Sequence, residues 1–493
     1  MRTLEFEKEL IMKKDKKDDF VKEIPKKSEN ISEWYTAVIL KGELADYSPV
    51  RGCMVIRPYG YAVWENIQNY LNARFKETGH KNGYFPMFIP ESFLKKEAEH
   101  VEGFAPQVAM VTKGGGEPLT EPLVVRPTSE SIICSMYSKW IKSYRDLPVL
   151  INQWCNVVRW EKTTRLFLRS MEFLWQEGHT VHRTAAEAEE ETERMLEVYR
   201  EFAENFLALP VLTGRKTEGE KFAGADHTYT IEALMPDGQA LQSGTSHNLG
   251  QHFAKAFDIK FLDSDNTEKY PFQTSWGIST RIMGAVIMMH GDDRGLAFPP
   301  SVAPTQIVIV PIFYGQKELV LDKAYEIKRI LDARFRVEID ARDEFKPGWK
   351  FNEWEMKGVP LRIEIGPKDI EKGQVTVSSR IGEGKSQIPI DNLEERIEGL
   401  LADIQKGFYD RAKSYFDSHI FDAVTIDDIR RHMEEGRKGF YRTMWCGSEE
   451  CADKIGEETS TTPRCISKTE DGDGVCCCCG REAHRHIYFA RAY

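Results

Sequence analysis

Residues 156–182 read NVVRWEKTTRLFLRSMEFLWQEGHTVH, and this stretch decides the class of fold. Its apolar side chains alternate with polar ones, which is typical of β-strands because successive residues of a strand point to opposite faces of a sheet. The polar positions hold charged and aromatic side chains rather than the usual Thr, Lys, Glu and Ser. These side chains are Arg159, Glu161, Arg169, Trp175, Glu177 and His179.

The spacing of these residues predicts which of them share a face of the sheet. Arg159 and Glu161 lie two residues apart, and the same spacing joins Trp175, Glu177 and His179. Such a set favours a pocket for an anionic, planar ligand beside a small zwitterion. For any single pair, the alternative is an antiparallel sheet with its polar face toward water.

Three further segments carry side chains of the same kinds. VVRPTSES puts Thr128 and Glu130 on one face of a strand, as predicted for Arg159 and Glu161. LQSGTSHNLGQHF places polar residues two or three positions apart, and SWGISTRIMGAVIMMH passes from a strand into an apolar helix. We expect these segments to converge with the first stretch on one pocket. Their candidate residues are Thr128, Glu130, Gln242, Thr245, His247 and Arg281.

Composition and charge describe the whole chain of 493 residues, of which 41% are hydrophobic and 29% charged. These values are those of an ordinary globular protein with two to four domains. The net charge of -11 argues against coating nucleic acid through charge alone, but it allows a folded RNA held by local basic patches. No apolar run approaches the ~20 residues of a membrane span, and the N-terminus has no apolar signal core. We therefore expect a cytoplasmic protein without membrane partners.

Four segments follow one another along the chain. Residues 1–32 form a charged leader, helical or frayed. Residues 33–300 mix helices with antiparallel-looking strands and end in a proline-rich boundary. Residues 301–400 alternate strands with helices, as in a compact α/β domain. Residues 401–493 begin as a charged helix and end in a cysteine-rich tail. The fold class expected is therefore multidomain, with α/β and α+β parts.

The cysteines indicate a metal site rather than disulfides, because seven of the ten fall between Cys446 and Cys479 in a long chain without a signal sequence. Tetrahedral zinc takes four thiolate or imidazole ligands, typically from two paired knuckles. Cys446 and Cys451 could supply one knuckle, and Cys476 and Cys479 the other. Cys477 could replace Cys476, since four cysteines in succession leave that choice open.

Longer motifs resemble those of the class II aminoacyl-tRNA synthetases. NGYFPMFIPES, with Pro86, is similar to the first class motif, VVRWE…FLRSMEFLWQEGH to the second and SWGISTRIMGAVIMMHGDDRG to the third. RPTSE, FLWQEGHT, GTSHNLGQ and SWGISTR resemble the prolyl-tRNA synthetases of the archaeal/eukaryotic type. The resemblance covers residues 33–493. It implies an antiparallel-sheet catalytic domain, an α/β anticodon-binding domain and a C-terminal α/β zinc-binding-type domain.

The resemblance also implies the reaction and its partners. L-Proline and ATP, with Mg²⁺ on the triphosphate, give prolyl-adenylate, and the 3′-terminal adenosine of tRNA(Pro) then takes the prolyl group. Neither step needs a covalent protein nucleophile. A homodimer would form around the first motif, and the tail would hold a structural Zn²⁺. The alternatives are a class II enzyme of another specificity and a regulatory paralogue that does not charge tRNA.

Site roles are likewise carried over by resemblance. The catalytic residues would be Arg159, which bridges the α-phosphate and the proline carboxylate, and Arg281. Further ATP contacts would come from Glu161, Arg169, Phe173, Gln242, Thr245 and Ser279. The proline site would comprise Thr128, Glu130, Arg159, Trp175, Glu177, His179, Phe222 and His247. Alternatively, Trp175 and Phe222 belong to a plain core, and His179 is a structural histidine.

Two further expectations concern the tRNA and its correct charging. Only about 60 residues separate His182 from Gln242, too few for the editing insertion of the bacterial type, so we expect no hydrolytic correction within this chain. The segment DARDEFKPGWKFNEWEMKGVP mixes charges with Trp349 and Trp354, which suits unstacked anticodon bases. A solvated helix face is the alternative for that segment.

Overall fold

The computed structural model describes residues 24–94, 107–382 and 384–493. Residues 1–23, most of the expected leader, lie outside this range. Where the leader is described it is anchored, since Lys27 Nζ donates to the carbonyls of Met288 and Gly291 at 2.6 and 2.7 Å. Among the described residues, no helix combines the length and the apolar character needed to cross a membrane.

Helices and strands alternate irregularly along the chain. The helices are α1 (Ile31–Lys41), α2 (Pro58–Glu77), α3 (Glu130–Trp140), α4 (Ala185–Glu201), α5 (His252–Ala256), α6 (Arg281–His290), α7 (Lys317–Leu331), α8 (Pro347–Met356), α9 (Pro367–Glu371), α10 (Leu393–Ser418), α11 (Ile426–Glu434) and α12 (Glu449–Thr459). A 3₁₀ turn occupies Tyr144–Asp146 and a π-helical turn Phe202–Phe206.

The strands include several short ribbons. They are β1 (Ala45–Tyr47), β2 (Met54–Ile56), β3 (Lys81–Asn82), β4 (Phe88–Pro90), β5 (Met110–Gly114), β6 (Glu117–Val125), β7 (Val149–Val158), β8 (Glu172–His182), β9 (Val211–Arg215), β10 (His227–Leu234), β11 (Ala240–Gly250), β12 (Phe261–Leu262), β13 (Glu268–Lys269), β14 (Phe272–Ser279), β15 (Ile307–Pro311), β16 (Val337–Ile339), β17 (Leu361–Ile365), β18 (Gln374–Ser379), β19 (Ser386–Pro389), β20 (Ile420–Asp422), β21 (Phe440–Trp445), β22 (Thr462–Val475) and β23 (Glu482–Ala490).

One large sheet dominates the described part of the chain. Its eleven strands follow the order β20-β21-β23-β22-β9-β10-β11-β14-β8-β7-β3. The five neighbouring strands β10, β11, β14, β8 and β7 pair antiparallel. β7 and β8 pair from Val149 opposite Val181 to Val158 opposite Glu172. The antiparallel sheet predicted from residues 156–182 is therefore confirmed.

Two local predictions within this sheet were wrong. Arg159 and Glu161 lie in the connection between β7 and β8, not on a strand. β7 ends at Val158 because the mostly polar run WEKTTR that follows has no alternating apolar residues to bury. Thr128 and Glu130 also lie off the strands. Pro127 follows β6, and α3 begins at Glu130, as expected where proline ends a strand before a helix.

The core beneath the sheet is built from α6 and its neighbours. From Ile282 to His290 every residue of α6 is buried, as expected for a helix that is apolar all round. Trp276 on β14 faces this core and lies directly opposite Gly178 of β8. A Cβ on Gly178 would lie 2.1 Å from the Trp276 indole. Glycine at position 178 therefore makes room for the ring.

Residues 306–390 form a second, separate sheet in the order β16-β15-β17-β18-β19. The first three strands run parallel, and β18 and β19 pair antiparallel. α7 and α10 cover its core. The alternation predicted for this α/β domain is confirmed, although β19 was missed because its four residues are largely exposed and carry no apolar period.

The long helix α10 links all parts of the protein. Its Ile397, Leu401 and Phe408 pack in the α/β domain core, Ala412 joins the core beneath the large sheet, and Phe416 packs against the C-terminal strands. The boundary expected at residue 400 lies inside this helix.

The C-terminal strands continue the large sheet instead of forming an isolated module. β22 pairs with β9 at Ile466 opposite Arg215 and Ser467 opposite Gly214. A Cβ on Gly214 would lie 2.3 Å from the carbonyl oxygen of Ile466, so glycine permits this close approach. Tyr493 returns to the start of β11, where its N–H donates to the carbonyl of Ala240 at 3.1 Å.

We expect Gly178→Ala to lower stability by about 1–3 kcal/mol, because the new methyl group collides with a ring held inside the core. Thermal unfolding followed by circular dichroism measures this. Gly399→Ala is the matched control, since open space surrounds Gly399 in α10 and alanine favours helix. Equal melting temperatures for Gly178→Ala and the wild type would contradict the packing described here.

Candidate active site

A cavity of about 240 Å³ opens on the face of the large sheet opposite the core. It lies over β8, β14, β11 and β10 and is bounded by the connection that carries Phe222. Every catalytic-domain residue singled out from the sequence lines it, except Glu161 and Arg169. The lining set is Thr128, Glu130, Arg159, Phe173, Trp175, Glu177, His179, Phe222, Gln242, Thr245, His247, Ser279 and Arg281.

The register of β8 against β14 hollows out this cavity. Trp175, Glu177 and His179 stand on one face, and the residues opposite them on β14 are Ser279, Gly277 and Ser275. Large side chains on β8 thus lie beside very small ones on β14, and the space above the small residues stays open. The i, i+2 spacing read from the sequence is confirmed for β8.

β11 and β10 extend the same face. His247 lies opposite Ser275 and Thr245 opposite Gly277. On the other side, Thr228 pairs with His247, and its hydroxyl lies 2.8 Å from His247 Nδ1. The Phe222 and His247 rings lie 4.7 Å apart. Side chains from distant segments therefore form one continuous wall.

Glu161 and Arg169 line an adjoining depression of about 390 Å³. Arg159 borders both spaces, so the depression continues the cavity outward. Arg169 Nε lies 3.9 Å from Glu161 Oε2. These two residues therefore stand at the mouth of the site and not on its floor.

Arg159 and Arg281 bring positive charge to the cavity. Arg159 Nε donates to the carbonyl of Pro127 at 3.1 Å, and its guanidinium lies 5.6 Å from the Phe173 ring. Arg281 Nε donates to the carbonyl of Leu168 at 3.0 Å. Although Arg159 stays open to the cavity, desolvation by the surrounding protein lowers its pKa.

Repulsion among the arginines adds to this effect. Burial lowers the pKa of Arg281, and the neighbouring charges of Arg159 and Arg169 lower it further. Three guanidinium groups that repel one another are stabilised by a polyanion placed between them. The arrangement is that of a site for a phosphate chain.

Glu177 supplies a buried negative charge at the floor. Gln153 Nε2 donates to its Oε1 at 2.9 Å, and His179 Nε2 lies 2.9 Å from its Oε2. The Ser129 hydroxyl and the Cys155 thiol also donate to Oε1. Burial alone would raise the pKa of Glu177, but these hydrogen bonds and the His179 ring hold it below its usual range. The carboxylate is thus kept ionised beside the cavity.

Several cavity-lining positions escaped the sequence analysis. Ser275 and Gly277 could have been found by counting back in twos from Ser279. Glu220 and Lys221 lie in an irregular connection, where no periodicity marks them. The lining residues that were missed are Glu220, Lys221, Thr228, Ser243, Gly244, Ser275, Trp276, Gly277 and Ile278.

A second candidate site lies in the C-terminal domain. The sulfur atoms of Cys446, Cys451, Cys476 and Cys479 all lie within 4.8 Å of one another. Two of these separations, from Cys446 to Cys451 and to Cys479, are 3.8 Å. Tetrahedral zinc with Zn–S bonds of ~2.3 Å places its sulfur ligands ~3.8 Å apart. The four side chains therefore fit a structural zinc ion, and Cys477 does not belong to the group.

Comparisons with known proteins assign a family to three parts of the chain. Residues 113–290 match the family described as tRNA synthetase class II core domain (G, H, P, S and T), residues 306–400 the anticodon binding domain, and residues 426–493 the prolyl-tRNA synthetase C-terminal family. The chain is 58% identical over 479 residues to the proline–tRNA ligase of Alkaliphilus oremlandii (97% of this chain, 99% of the relative). It is also 58% identical over 483 residues to that of Ruminiclostridium cellulolyticum (98% and 100%).

We expect the stability of the protein to fall as pH drops below 6.5. Burial, with a smaller contribution from His179, lowers the pKa of His247 to about 3. The unfolded chain, with an ordinary histidine pKa, therefore binds a proton first on acidification. Between pH 6.5 and 5 this linkage costs on the order of 1–2 kcal/mol for a partly accessible ring.

Urea unfolding at a series of pH values measures this loss. His247→Gln keeps a polar group beside Thr228 and should flatten the pH dependence by that amount. His252→Gln is the control, because the His252 side chain is 53% exposed. An unchanged slope for His247→Gln would show that His247 titrates normally.

Proposed function

Because this chain belongs to the proline–tRNA ligases, a family of class II aminoacyl-tRNA synthetases, we propose that its cavity holds L-proline and ATP side by side. The enzyme joins proline to tRNA. In the first step proline and ATP give prolyl-adenylate, and in the second the 3′-terminal adenosine of tRNA(Pro) takes the prolyl group. The observation that carries the proposal is the convergence of Arg159, Arg281 and Glu177 on one cavity.

The floor of the cavity suits proline. The ionised Glu177, together with Thr128 and Glu130, provides acceptors for the secondary ammonium group. The Thr128 hydroxyl donates to the Glu130 carboxylate, which fixes the two side chains relative to each other. The five-membered ring fits among aromatic groups, namely Trp175, His179, Phe222 and His247. An uncharged His247 avoids repulsion of the ammonium group.

The outer part of the cavity suits ATP. Phe173 would stack on the adenine, and Arg281 would cover its other face and reach the terminal phosphate. Mg²⁺ would be held mainly by the triphosphate, as this ion commonly is. The remaining nucleotide contacts would come from Glu161, Arg169, Gln242, Thr245 and Ser279.

Arg159 lies between the two binding regions and carries the chemistry. An oxygen of the proline carboxylate forms a bond to the α-phosphorus while the bond from that phosphorus to pyrophosphate breaks. The Arg159 fork would hold the carboxylate and an α-phosphate oxygen together and stabilise the charge that builds in the transition state. The protein contributes alignment and fixed positive charge, without a covalent intermediate of its own.

The α/β domain belongs to the anticodon-binding family, which supports tRNA as the partner. We assign the anticodon bases to the segment around α8. There the Phe345 and Trp349 rings stack with centroids 3.9 Å apart, and the Arg342 guanidinium lies 5.0 Å from Phe345. Aromatic and guanidinium planes of this kind suit splayed single-stranded bases. The ion pair from Arg342 to Asp340 holds the guanidinium in place.

A homodimer is proposed around the first class motif. Tyr84, Phe88 and Met110 are exposed apolar side chains on and beside the small sheet β4-β6-β5. Tyr84 and Phe88, which belong to the motif itself, are the kind of exposed apolar side chain that a subunit contact covers.

The proposal extends to the domain limits and to proofreading. Each matched family range falls within one of the domains 33–300, 301–400 and 401–493, which supports a division into three domains, although α10 runs through residue 400. Residues 183–241 contribute α4, β9 and β10 to the catalytic domain itself. This supports a chain that does not edit mischarged tRNA. A cytoplasmic location is proposed because tRNA and ATP meet there.

Proline-dependent ATP–pyrophosphate exchange, followed by charging of tRNA(Pro), tests the function. Arg159→Ala should lose about 3 kcal/mol of transition-state stabilisation, or over 100-fold in kcat/KM, because the bridging fork is gone. Arg145→Ala is the matched control, since Arg145 is exposed and lies outside the cavity. Exchange that proceeds faster with another amino acid, or tRNA(Pro) left uncharged by the wild type, would overturn the proposal.

Metal analysis of the purified protein tests the zinc site. We expect about one zinc ion per chain in the wild type and in Cys477→Ser. Cys476→Ser should lose the metal, because only three thiolates remain. Loss of zinc from Cys477→Ser with retention in Cys476→Ser would exchange the roles of the two cysteines.

A further inference from the structure

A buried cluster of charges joins the C-terminal domain to the catalytic sheet. Lys216 Nζ donates to Glu232 Oε1 at 2.8 Å. From β22, Arg464 donates to Glu232 Oε2 through Nε at 3.1 Å and Nη2 at 2.7 Å. The Thr230 hydroxyl completes the set at 2.9 Å from Oε1. The side chains of Lys216, Glu232 and Arg464 are only 2%, 0% and 7% exposed.

This cluster is costly for a contact that only holds two domains together. Moving three charges out of water carries a large desolvation penalty, and a well-packed apolar group of the same size often stabilises a protein as well or better. Two cations face one carboxylate inside the cluster, and Arg464 also interacts with the Glu220 carboxylate outside it. The cost of the cluster is consistent with a role beyond stability.

The cluster lies on the same face of the sheet as the cavity. Thr228, Thr230 and Glu232 alternate along β10, and Thr228 lines the cavity. Glu232 pairs directly with Gln242 of β11, one of the residues assigned to the nucleotide.

An irregularity in the sheet occurs at this point. Ile231 pairs with Gly244 but Glu232 pairs with Gln242, so Ser243 is an extra residue that has no partner. Bulges of this kind often re-aim side chains beside active sites. Gln242 and Ser243 both line the cavity.

Electrostatic coupling reaches the catalytic arginine. Burial lowers the pKa of Arg281, and the Glu232 carboxylate is near enough to oppose that shift. Arg464 in turn interacts with Glu220, which also lines the cavity. The charges of the cluster therefore act on Arg281 and Glu220 at the nucleotide side of the cavity.

We propose that Arg464, acting through Glu232, is a positioning residue for the activation step: it fixes the bulged segment at Gln242 and Ser243 so that this segment meets ATP. The C-terminal domain thereby completes the nucleotide site without touching it. This inference rests on the proposed function, because it assumes that ATP occupies the outer part of the cavity.

Steady-state pyrophosphate exchange with Arg464→Met tests the proposal. The variant leaves Lys216 and Glu232 as a balanced pair, so no buried charge loses its only partner. We expect KM for ATP to rise and kcat to fall, with kcat/KM for ATP roughly tenfold lower or more, since a displacement of about 1 Å can cost ~100-fold. KM for proline should stay within about twofold, because no proposed proline contact lies in the bulged segment and His247 lies five residues beyond Gln242 on β11.

Two further variants and a metal assay separate positioning from general damage. Arg464→Lys keeps the charge and should recover part of the ATP effect. Arg442→Met removes an arginine that pairs with Asp422 inside the C-terminal domain, at 2.6 and 3.0 Å, and should behave as the wild type. Zinc content should be unchanged in all three variants.

Wild-type kinetics for Arg464→Met would overturn the inference. An equal rise in KM for ATP and in KM for proline, accompanied by loss of zinc, would also overturn it. If Arg464→Met does not fold, Arg464→Lys decides, because it must still raise KM for ATP. Absence of proline-dependent exchange in the wild type would instead refute the proposed function, so the two failures are distinguishable.

Discussion

A one-residue slip between β8 and β14 would turn Trp175, Glu177 and His179 away from the cavity and into the core, because side chains alternate between the faces of a strand. The register is held from the core side, where Trp276 lies across from Gly178 and leaves no room for any larger residue. Packing on the buried face thus fixes which side chains of β8 point into the cavity on the open face. The same constraint carries across β11 to β10, so residues more than a hundred positions apart meet above Ser275 and Gly277.

The two ends of the pocket carry opposite charge. Hydrogen bonds keep Glu177 ionised at the floor, while Arg159, Arg169 and Arg281 repel one another toward the mouth. In the proposed function, the ammonium group of proline lies at the floor and the phosphates of ATP lie toward the mouth. The reacting carboxylate and the α-phosphorus then meet beside Arg159.

Period-two patterning was sufficient to predict the central strands and the part of the cavity wall on β8, because Trp175, Glu177 and His179 share one face of that strand. Phe173, Phe222 and Ser279 came only from the resemblance to a known family. Period-two patterning failed where the chain leaves the sheet. Arg159 and Glu161 were placed on a strand although they lie in a connection, and Thr128 and Glu130 flank the start of a helix. Local patterns carry no information on connections of this kind.

Long-range partners were equally invisible in the sequence. No residue near Glu232 in the sequence indicates that Arg464, 232 positions away, pairs with its carboxylate. The run of four cysteines likewise left two candidates for one ligand, and only the folded arrangement groups Cys476 with Cys446. The pairing between β22 and β9 could not be predicted from the sequence either. Each of these strands already has another partner, β10 for β9 and β23 for β22, and its local pattern requires no second one.

That pairing has a consequence for anyone who trims this protein. β9 is flanked by β10 on one side and by β22 on the other, so a fragment ending before the C-terminal strands would expose a bare sheet edge around Gly214. Such an edge, lacking a side chain at its centre, is a template for adding a strand from another molecule. The tail therefore caps the catalytic sheet against self-association, and a minimal catalytic fragment would have to replace that cap.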